Sequence, residues 1–314
     1  MILTLTGNLL AERTLEFDAW RPGRTQRARR ASFQVGGKGV NVSKMLTRLG
    51  APTTALCFAG GAPGDECAAW LRENGIGHHI FRTDAATRTG AVIRAPGQPE
   101  TTFLGPDAAP DAGALAACAA WLDARLPDAQ TALALCGSFP GWDAAGGAIL
   151  RAALARWAGA GRLFVDAYGP PLAWAVAQPA GLIKINRDEL IQLAGGGPAA
   201  AARPTAELLA RTRRRHPAVR RWIISDGPRE VWFADAGDAP PASLLPPPVR
   251  EISPTGSGDV LLACVLHRML INHEKSLAKT LIFALPYSAA NAASPGVADF
   301  NLNQLPNQRS VSIP

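Results

Sequence analysis

The chain has 314 residues, of which 47% are hydrophobic and 18% are charged. Since this composition can bury a sizeable core, it excludes a disordered polymer. The 32 Lys and Arg exceed the 25 Asp and Glu, giving a formal charge of +7. The surplus favours an anionic partner, but it does not distinguish nucleic acid, an acidic membrane surface and a small phosphorylated metabolite.

Targeting, membrane and metal signals are weak. The first residues, MILTLTGN, lack the regions of a signal peptide and predict a first strand. The longest uncharged run, residues 280–298, contains two prolines and does not predict a membrane span. Because the five cysteines form no Cys-x-x-Cys pair, we expect buried free thiols in a reducing cytoplasm. The five histidines lack the spacing of a transition-metal site.

Short apolar runs alternate with helical patterns along the whole chain. Strands are predicted at residues 2–5, 53–59, 131–136, 163–166, 182–185 and 222–225. Helices are predicted at residues 41–49 and 66–74, each followed by a glycine. The alternation predicts an α/β fold with a mostly parallel sheet and helices on both faces.

Two segments interrupt this alternation, residues 10–35 and 88–104. Each predicts short strands, and together we expect them to form a small β-lid over the sheet edge within one domain of residues 1–314. The proline-rich stretch 240–248 predicts a surface connection. The basic run at residues 24–30 (RTQRARR) fits a solvated strand face and a ligand-binding role equally.

The first motif that carries chemistry is residues 36–43, GGKGVNVS. Its glycines precede an amphipathic helix, so a ligand can approach the backbone and the free N–H groups of the helix start. Its residue spacing matches neither the P-loop motif nor the G-x-G-x-x-G motif of dinucleotide-binding proteins. The amide of Asn41 can donate to one sugar hydroxyl and accept from the next.

The second motif is residues 255–259, TGSGD, which precedes an apolar helix predicted over residues 260–271. Successive N–H groups at this position can form a nest for an anion, and Asp259 adds a carboxylate beside it. Phosphoryl transfer needs this combination of a base for the acceptor and N–H groups for the transferred oxygens. At a helix N-terminus we expect the pKa of Asp259 to lie near or below about 3.9.

In this order the two motifs resemble the ribokinase-like (PfkB) carbohydrate kinase family, and the resemblance extends over nearly the whole chain. The segments TRT at 87–89, CGSFP at 136–140 and LIKINRDEL at 182–190 also follow the family's order. The resemblance implies a ribokinase-like three-layer sandwich with a small β-lid. It further implies an ATP- and Mg²⁺-dependent kinase, most similar to the branch of 1-phosphofructokinases and tagatose-6-phosphate kinases.

The resemblance also implies roles for individual residues on the donor side. Asp259 would take the proton of the acceptor hydroxyl, while Gly256, Ser257 and Gly258 would hold the γ-phosphoryl oxygens. Asn186 and Glu189 would organise Mg²⁺ through waters. The implied nucleotide contacts are Lys184, Asn186, Glu189, Ser225, Gly227 and Asn291.

On the acceptor side, Arg88 would clasp the phosphate already on the sugar, as guanidinium geometry favours. An exposed strand arginine with a solvated head is the alternative. The full set of implied acceptor contacts is Glu12, Gly37, Lys38, Asn41, Arg88, Ser138 and Arg27. Glu12 stands where the family usually has aspartate, and the turn at 136–142 also departs from the family pattern. The acceptor side therefore differs from the family more than the anion nest and the base do.

We therefore expect a kinase that transfers the γ-phosphoryl group of ATP to a hydroxyl of a phosphorylated hexose. A kinase of an unphosphorylated sugar or nucleoside, and a non-catalytic sugar-phosphate or nucleotide sensor, are the alternatives. Nucleic-acid binding rests on the net charge alone, and we expect neither it nor a membrane partner. The two lid segments predict a homodimer, because a small sheet with one apolar face needs a cover.

Overall fold

The protein is described by a computed structural model that covers residues 1–306. Its main sheet has nine strands in the order β13-β12-β11-β10-β9-β8-β1-β4-β5. The strands are β1 (Ile2–Thr6), β4 (Thr53–Ala59), β5 (His78–Arg82), β8 (Ala132–Gly137), β9 (Leu163–Ala167), β10 (Leu182–Asn186), β11 (Trp222–Ser225), β12 (Val231–Ala234) and β13 (Ala242–Leu244). All pairs from β5 to β11 are parallel, whereas β12 and β13 add antiparallel at one edge. The mostly parallel sheet is confirmed.

Helices cover both faces of this sheet because its central strands are apolar on both sides. On β1, Leu3 and Leu5 belong to one buried cluster, while Ile2 belongs to a second cluster on the opposite face. The helices are α1 (Lys38–Arg48), α2 (Gly61–Glu73), α3 (Ala112–Asp123), α4 (Gly147–Gly159), α5 (Pro170–Ala175), α6 (Arg187–Leu193), α7 (Gly197–Ala201), α8 (Thr205–Arg215), α9 (Ser257–Leu266) and α10 (Leu277–Ala292). This is the predicted three-layer arrangement.

The predicted helices were correct in position but not in length. Helix α1 begins three residues before the predicted start, and its chain reverses at Gly50 with a φ of 72°. The helix predicted over 260–271 is two elements, because α9 passes at His267 into a five-residue π-helical turn, His267–Ile271. Within residues 1–306, no helix combines the length and apolarity needed to cross a membrane.

The two interrupting segments form a second sheet, as the sequence predicts. Its strands are β2 (Leu10–Glu16), β3 (Arg30–Gly36), β6 (Arg88–Arg94) and β7 (Thr101–Leu104), in the order β3-β2-β6-β7. Strand β2 runs antiparallel to β3 and parallel to β6. We call this sheet the lid. Phe103 and Leu104 on its edge strand are more than half exposed.

Candidate active site

A cleft of about 1610 Å³ lies where the lid meets the carboxyl ends of the main strands. In parallel sheets, ligands bind at this end of the strands. The predicted residues that line the cleft are Glu12, Gly37, Lys38, Asn41, Arg88, Ser138, Lys184, Asn186, Ser225, Gly227, Gly256, Ser257, Gly258 and Asp259. The structure therefore brings the two glycine-rich motifs to one site.

Asp259 lies in the first turn of α9 and is 5% exposed. Its Oδ2 accepts a hydrogen bond from Nδ2 of Asn41 over 2.7 Å. Burial, followed by the negative charge of Asp166, raises the pKa of Asp259 to about 6. The expectation of a pKa near or below the ordinary value was wrong, because burial outweighs the stabilising effect of the helix start and of nearby Lys38.

Asp166 is the central residue that sequence reasoning missed. It is fully buried at the end of β9. Its Oδ1 accepts from Nζ of Lys38 and its Oδ2 from Nζ of Lys184, each over 2.7 Å. Although burial opposes ionisation, the two ammonium groups outweigh it and lower the pKa of Asp166. An acid at the carboxyl end of a buried parallel strand was the available signal.

Lys38 connects this bridge to the next helix. Its ammonium lies 3.6 Å from Oε1 of Glu189 as well as 2.7 Å from Asp166. Burial lowers the pKa of Lys38, but Asp166, Glu189 and Asp259 outweigh burial and raise it well above its usual range. Lys38 therefore stays positively charged beside the cleft. The two lysines bring positive charge to the space between the glycine-rich motifs.

The loop before α9 is held in an anion-binding shape. Gly256 has a φ of 76°, which favours glycine, and a Cβ at this position would overlap Val297. Behind the loop, Asn291 is fully buried. It donates to the carbonyl of Thr255 and to Oγ of Ser257 over 2.9 and 3.0 Å. The expected nucleotide contact of Asn291 is corrected accordingly, since its amide braces the loop and does not line the cleft.

Asn186 and Glu189 form a reciprocal cap at the start of α6. Oδ1 of Asn186 accepts from the backbone of Glu189, and Oε2 of Glu189 accepts from the backbone of Asn186, both over 2.8 Å. Each acceptor oxygen keeps a second lone pair, and hard oxygen donors suit Mg²⁺. Among residues 1–306, no three His, Cys, Asp or Glu side chains cluster to hold a metal ion. Asn186 lines the cleft, whereas Glu189 is not among its lining residues. Contact with Mg²⁺ through waters fits this arrangement.

Arg88 lies on the acceptor side with its side chain 13% exposed. Its Nη1 donates to Oδ1 of Asp107 over 2.9 Å. The alternative of a solvated strand arginine is wrong, because the guanidinium lines the cleft. Arg27 is different. It lies on the exposed loop between β2 and β3 and is not among the residues that line this cleft, so the structure does not bring it to the site.

Glu12 projects from the lid into the cleft and is 9% exposed. It accepts a hydrogen bond from Gln34 on the neighbouring strand. Burial raises the pKa of Glu12, and the charge of Glu100 raises it further against the hydrogen bond of Gln34. The carboxyl group of Glu12 thus lies in the wall of the cleft.

The other end of the cleft is apolar. Pro241, Pro246, Pro247 and Pro248 line it together with Leu285 and Ala289 of α10, beside Ser225 and Gly227. The proline-rich stretch is therefore a wall of the cleft and more than the surface connection that the sequence suggested. An apolar wall next to a glycine-rich loop suits a nucleobase attached to phosphates.

The sequence profile described as pfkB family carbohydrate kinase matches residues 6–304. The chain belongs to this family. It is 29% identical over 290 residues to a 1-phosphofructokinase of Rhodobacter capsulatus, covering 91% of this chain and 89% of the relative. It is 30% identical over 269 residues to a 1-phosphofructokinase of Xanthomonas campestris, covering 83% and 81%.

Solved structures show the same fold. Phosphofructokinase-2 from Escherichia coli in complex with fructose-6-phosphate superposes with a TM-score of 0.79 at 22% identity, covering 93% of each chain. A possible 1-phosphofructokinase from Thermotoga maritima gives a TM-score of 0.78 at 17% identity, covering 94% of this chain and 92% of the other. The ribokinase-like fold is confirmed. Family membership makes the protein a phosphotransferase, with ATP as the donor that the family implies.

Proposed function

We propose that the protein transfers the γ-phosphoryl group of ATP to a hydroxyl of a phosphorylated hexose, as a 1-phosphofructokinase-like kinase. The observation that carries this proposal is Arg88, whose guanidinium lines the acceptor side of the same cleft as Asp259. Guanidinium groups bind phosphate oxygens bidentately. The relatives named 1-phosphofructokinase support the same class of acceptor.

Asp259 is the proposed base. Its carboxylate takes the proton of the acceptor hydroxyl while the acceptor oxygen forms a bond to the γ-phosphorus. The bond from that phosphorus to the β,γ-bridging oxygen breaks, and ADP leaves with the electron pair. A pKa of about 6 keeps Asp259 ionised near neutral pH and makes it a stronger base than an ordinary aspartate. Asn41 orients the carboxylate through its 2.7 Å bond.

The transferred group carries negative charge that the protein must balance. The N–H groups of Gly256 and Gly258 face it in the proposed complex, whereas the N–H of Ser257 already donates to the carbonyl of Pro254 over 3.1 Å. Lys184, whose ammonium lies beside Gly258, and Lys38 add positive charge. Bound Mg²⁺, held by Asn186 and Glu189 through waters, would supply further neutralisation of the phosphate oxygens. The apolar wall of residues 246–248 is the proposed site of the adenine base.

The proposed assembly is a homodimer through the lid, in the cytoplasm, with the kinase domain formed by the whole chain. Phe103 and Leu104 leave apolar surface exposed at the lid edge, 56% and 55% respectively, and such surface is stabilised by a partner. One solved structure with this fold is titled a tetrameric form of phosphofructokinase-2 from Escherichia coli. Light scattering at micromolar concentration tests this, and a monomer mass would remove the proposal.

The decisive experiment measures ATP consumption with fructose 1-phosphate, fructose 6-phosphate and tagatose 6-phosphate. We expect turnover of at least one, and a loss of about 10² to 10⁴ in kcat for Asp259→Asn, the range for general base catalysis. Equal rates in the two proteins would falsify the role of Asp259. Binding of these sugars by calorimetry without turnover would instead identify a non-catalytic sensor.

A further inference from the structure

Asp107 lies on the loop between β7 and α3 and contacts two groups of the acceptor side. Its Oδ1 accepts from Nη1 of Arg88 over 2.9 Å and from Nδ2 of Asn8 over 2.8 Å. Asn8 and Arg88 both line the cleft. One carboxylate oxygen therefore occupies one N–H of each of two groups that an anionic acceptor could use, while Nδ2 of Asn8 also donates to Oγ of Ser138 over 2.9 Å.

The same donors carry polar atoms that lack partners. Among the contacts that the structure describes, Nε of Arg88 and Oδ1 of Asn8 are buried without a hydrogen bond. Buried polar groups are nearly always paired. The N–H of Arg88 Nε can donate to a phosphate oxygen, whereas Oδ1 of Asn8 accepts and would pair with a donor such as a sugar hydroxyl. Asp107 accepts from Nη1 and the carbonyl of Asn8 accepts from Nη2 over 3.4 Å, so Nε is the guanidinium nitrogen left without a partner. A phosphate can engage two guanidinium N–H groups at once.

The side chains of Arg88 and Asp107 differ in their exposure to solvent. The side chain of Arg88 is 13% exposed, whereas that of Asp107 is 56% exposed. None of the main-chain hydrogen bonds described for residues 1–306 involves residues 106–110. The carboxylate can thus move into solvent without breaking backbone structure, while the guanidinium stays in the cleft wall.

We propose that Asp107 is a specificity-determining residue, a carboxylate that competes with the phosphate of the acceptor for Arg88 and Asn8. This inference rests on the proposed function and adds a residue to it. The N–H groups that Asp107 occupies are closed to a second anion, so an acceptor that binds through them must displace Asp107. A phosphate carries more charge and more acceptor oxygens than a carboxylate and can do so, whereas a weaker anion cannot.

The test is Asp107→Asn, which keeps the size and an acceptor oxygen of the side chain but removes its charge. We expect the KM of the phosphorylated acceptor to fall about three- to tenfold, as for the loss of one charge-assisted competing contact. The KM of ATP and kcat should stay within about twofold, since Asp107 does not line the nucleotide end. Inorganic phosphate should also inhibit the variant more strongly than the original protein.

Asp65→Asn is the matched control, because Asp65 is an exposed acid paired with Arg82 outside the cleft. We expect it to change neither KM. A second comparison uses Arg88→Ala with and without Asp107→Asn, because without the guanidinium the removal of Asp107 should no longer lower the KM of the acceptor.

An unchanged or higher KM of the acceptor in Asp107→Asn would overturn the inference, since Asp107 would then be inert or would hold Arg88 in place for binding. If the original protein turns over no phosphorylated sugar, the proposed function fails separately. Calorimetry with inorganic phosphate still tests Asp107 in that case. Tighter binding to Asp107→Asn supports the competition, and equal binding excludes it.

Discussion

Asn41 donates its side-chain amide to Oδ2 of Asp259 over 2.7 Å, although the two residues lie 218 positions apart. The bond joins the first turn of α1 to the first turn of α9. It holds one oxygen of the carboxylate, so the position of the proposed base is fixed by a residue of the acceptor-side motif. In the proposed function, acceptor binding and the orientation of the base would share this side chain.

The first prediction concerns pH. Since the pKa of Asp259 is about 6, we expect kcat/KM to fall as the pH decreases through that value, because the protonated carboxyl cannot act as a base. The hydrogen bond of Asn41 lowers this pKa. Asn41→Ala should therefore move the inflection to higher pH. Values of kcat/KM measured from pH 5 to 9 for both proteins test this prediction. An inflection at the same pH in Asn41→Ala would contradict the role given to Asn41.

A second prediction concerns stability. The pKa of Asp259 rises on folding from 3.8 to about 6, so the folded state binds the proton more tightly and loses stability as the pH rises through this range. The neutral Asp259→Asn should gain about 1 to 3 kcal/mol over the original protein at pH 7, at about 1.4 kcal/mol per pKa unit.

Urea unfolding at pH 4 and pH 7 measures this difference, which should be small at pH 4 and larger at pH 7. A variant that is less stable at both values would show that the carboxylate is needed for packing. The expected gain in stability with loss of activity is typical of residues placed for function.

A third prediction concerns the bridge between the two lysines. Asp166→Asn removes the counter-charge of the buried Lys184 and one of the two carboxylates beside Lys38, so we expect a loss of about 3 to 5 kcal/mol in the free energy of unfolding. Because the charge of Asp166 raises the pKa of Asp259, the pH inflection of any residual activity should move to lower pH.

Asp123→Asn is its control, since Asp123 forms an exposed pair with Arg156 and should cost at most about 1 kcal/mol. Adding Lys184→Met to Asp166→Asn removes the buried ammonium group that has lost its counter-charge. Recovery of part of the lost stability in the double variant is the expected result, and no recovery would argue against the bridge.

A fourth prediction concerns the contact between the lid and the loop before α9. Oε1 of Glu100 accepts from Oγ1 of Thr255 over 3.3 Å and from Oγ of Ser253 over 3.5 Å, while Oε2 pairs with Arg94. Glu100→Ala should free the lid from this loop. We expect amide hydrogen exchange to rise about threefold or more in both segments together, as for a lost local contact.

Glu73→Ala, at an exposed position on α2, serves as the comparison and should leave both segments unchanged. Faster exchange in the lid alone would mean that Glu100 stabilises only its own turn. Glu100→Gln keeps an acceptor for the hydroxyl groups of Ser253 and Thr255. Its hydrogen-exchange rates should therefore lie between those of Glu100→Ala and those of Glu73→Ala.

Periodicity was enough to predict six strands of the main sheet and the lid, and the family resemblance placed Asn41 and Asp259 in one site. They were not enough for Asp166, because an acid after LFV carries no motif and gains meaning only when β9 lies beside β10. Asn291 shows the opposite failure. Its place in the family order suggested a ligand contact, but its depth behind the loop depends on packing.

The pKa of Asp259 was missed for a related reason. The helix start can be seen in the sequence, whereas the degree of burial and the nearness of Asp166 are properties of the folded chain. Arg27 could not be placed because the basic run at residues 24–30 lacks an apolar pattern that fixes its direction. The prolines at 246–248 become a cleft wall only through their position opposite α10.

The wide separation of the two motifs also constrains the order of events during synthesis. Strand β1 and helix α1 leave the ribosome early, whereas Asp259, Asn291 and Val297 come near the end of the chain. A nascent chain that has folded its first five strands therefore has an acceptor-side turn but no base and no anion loop. Non-local contacts of this kind form late in folding. The proposed site is consequently incomplete until Asp259 and the loop before it have been made.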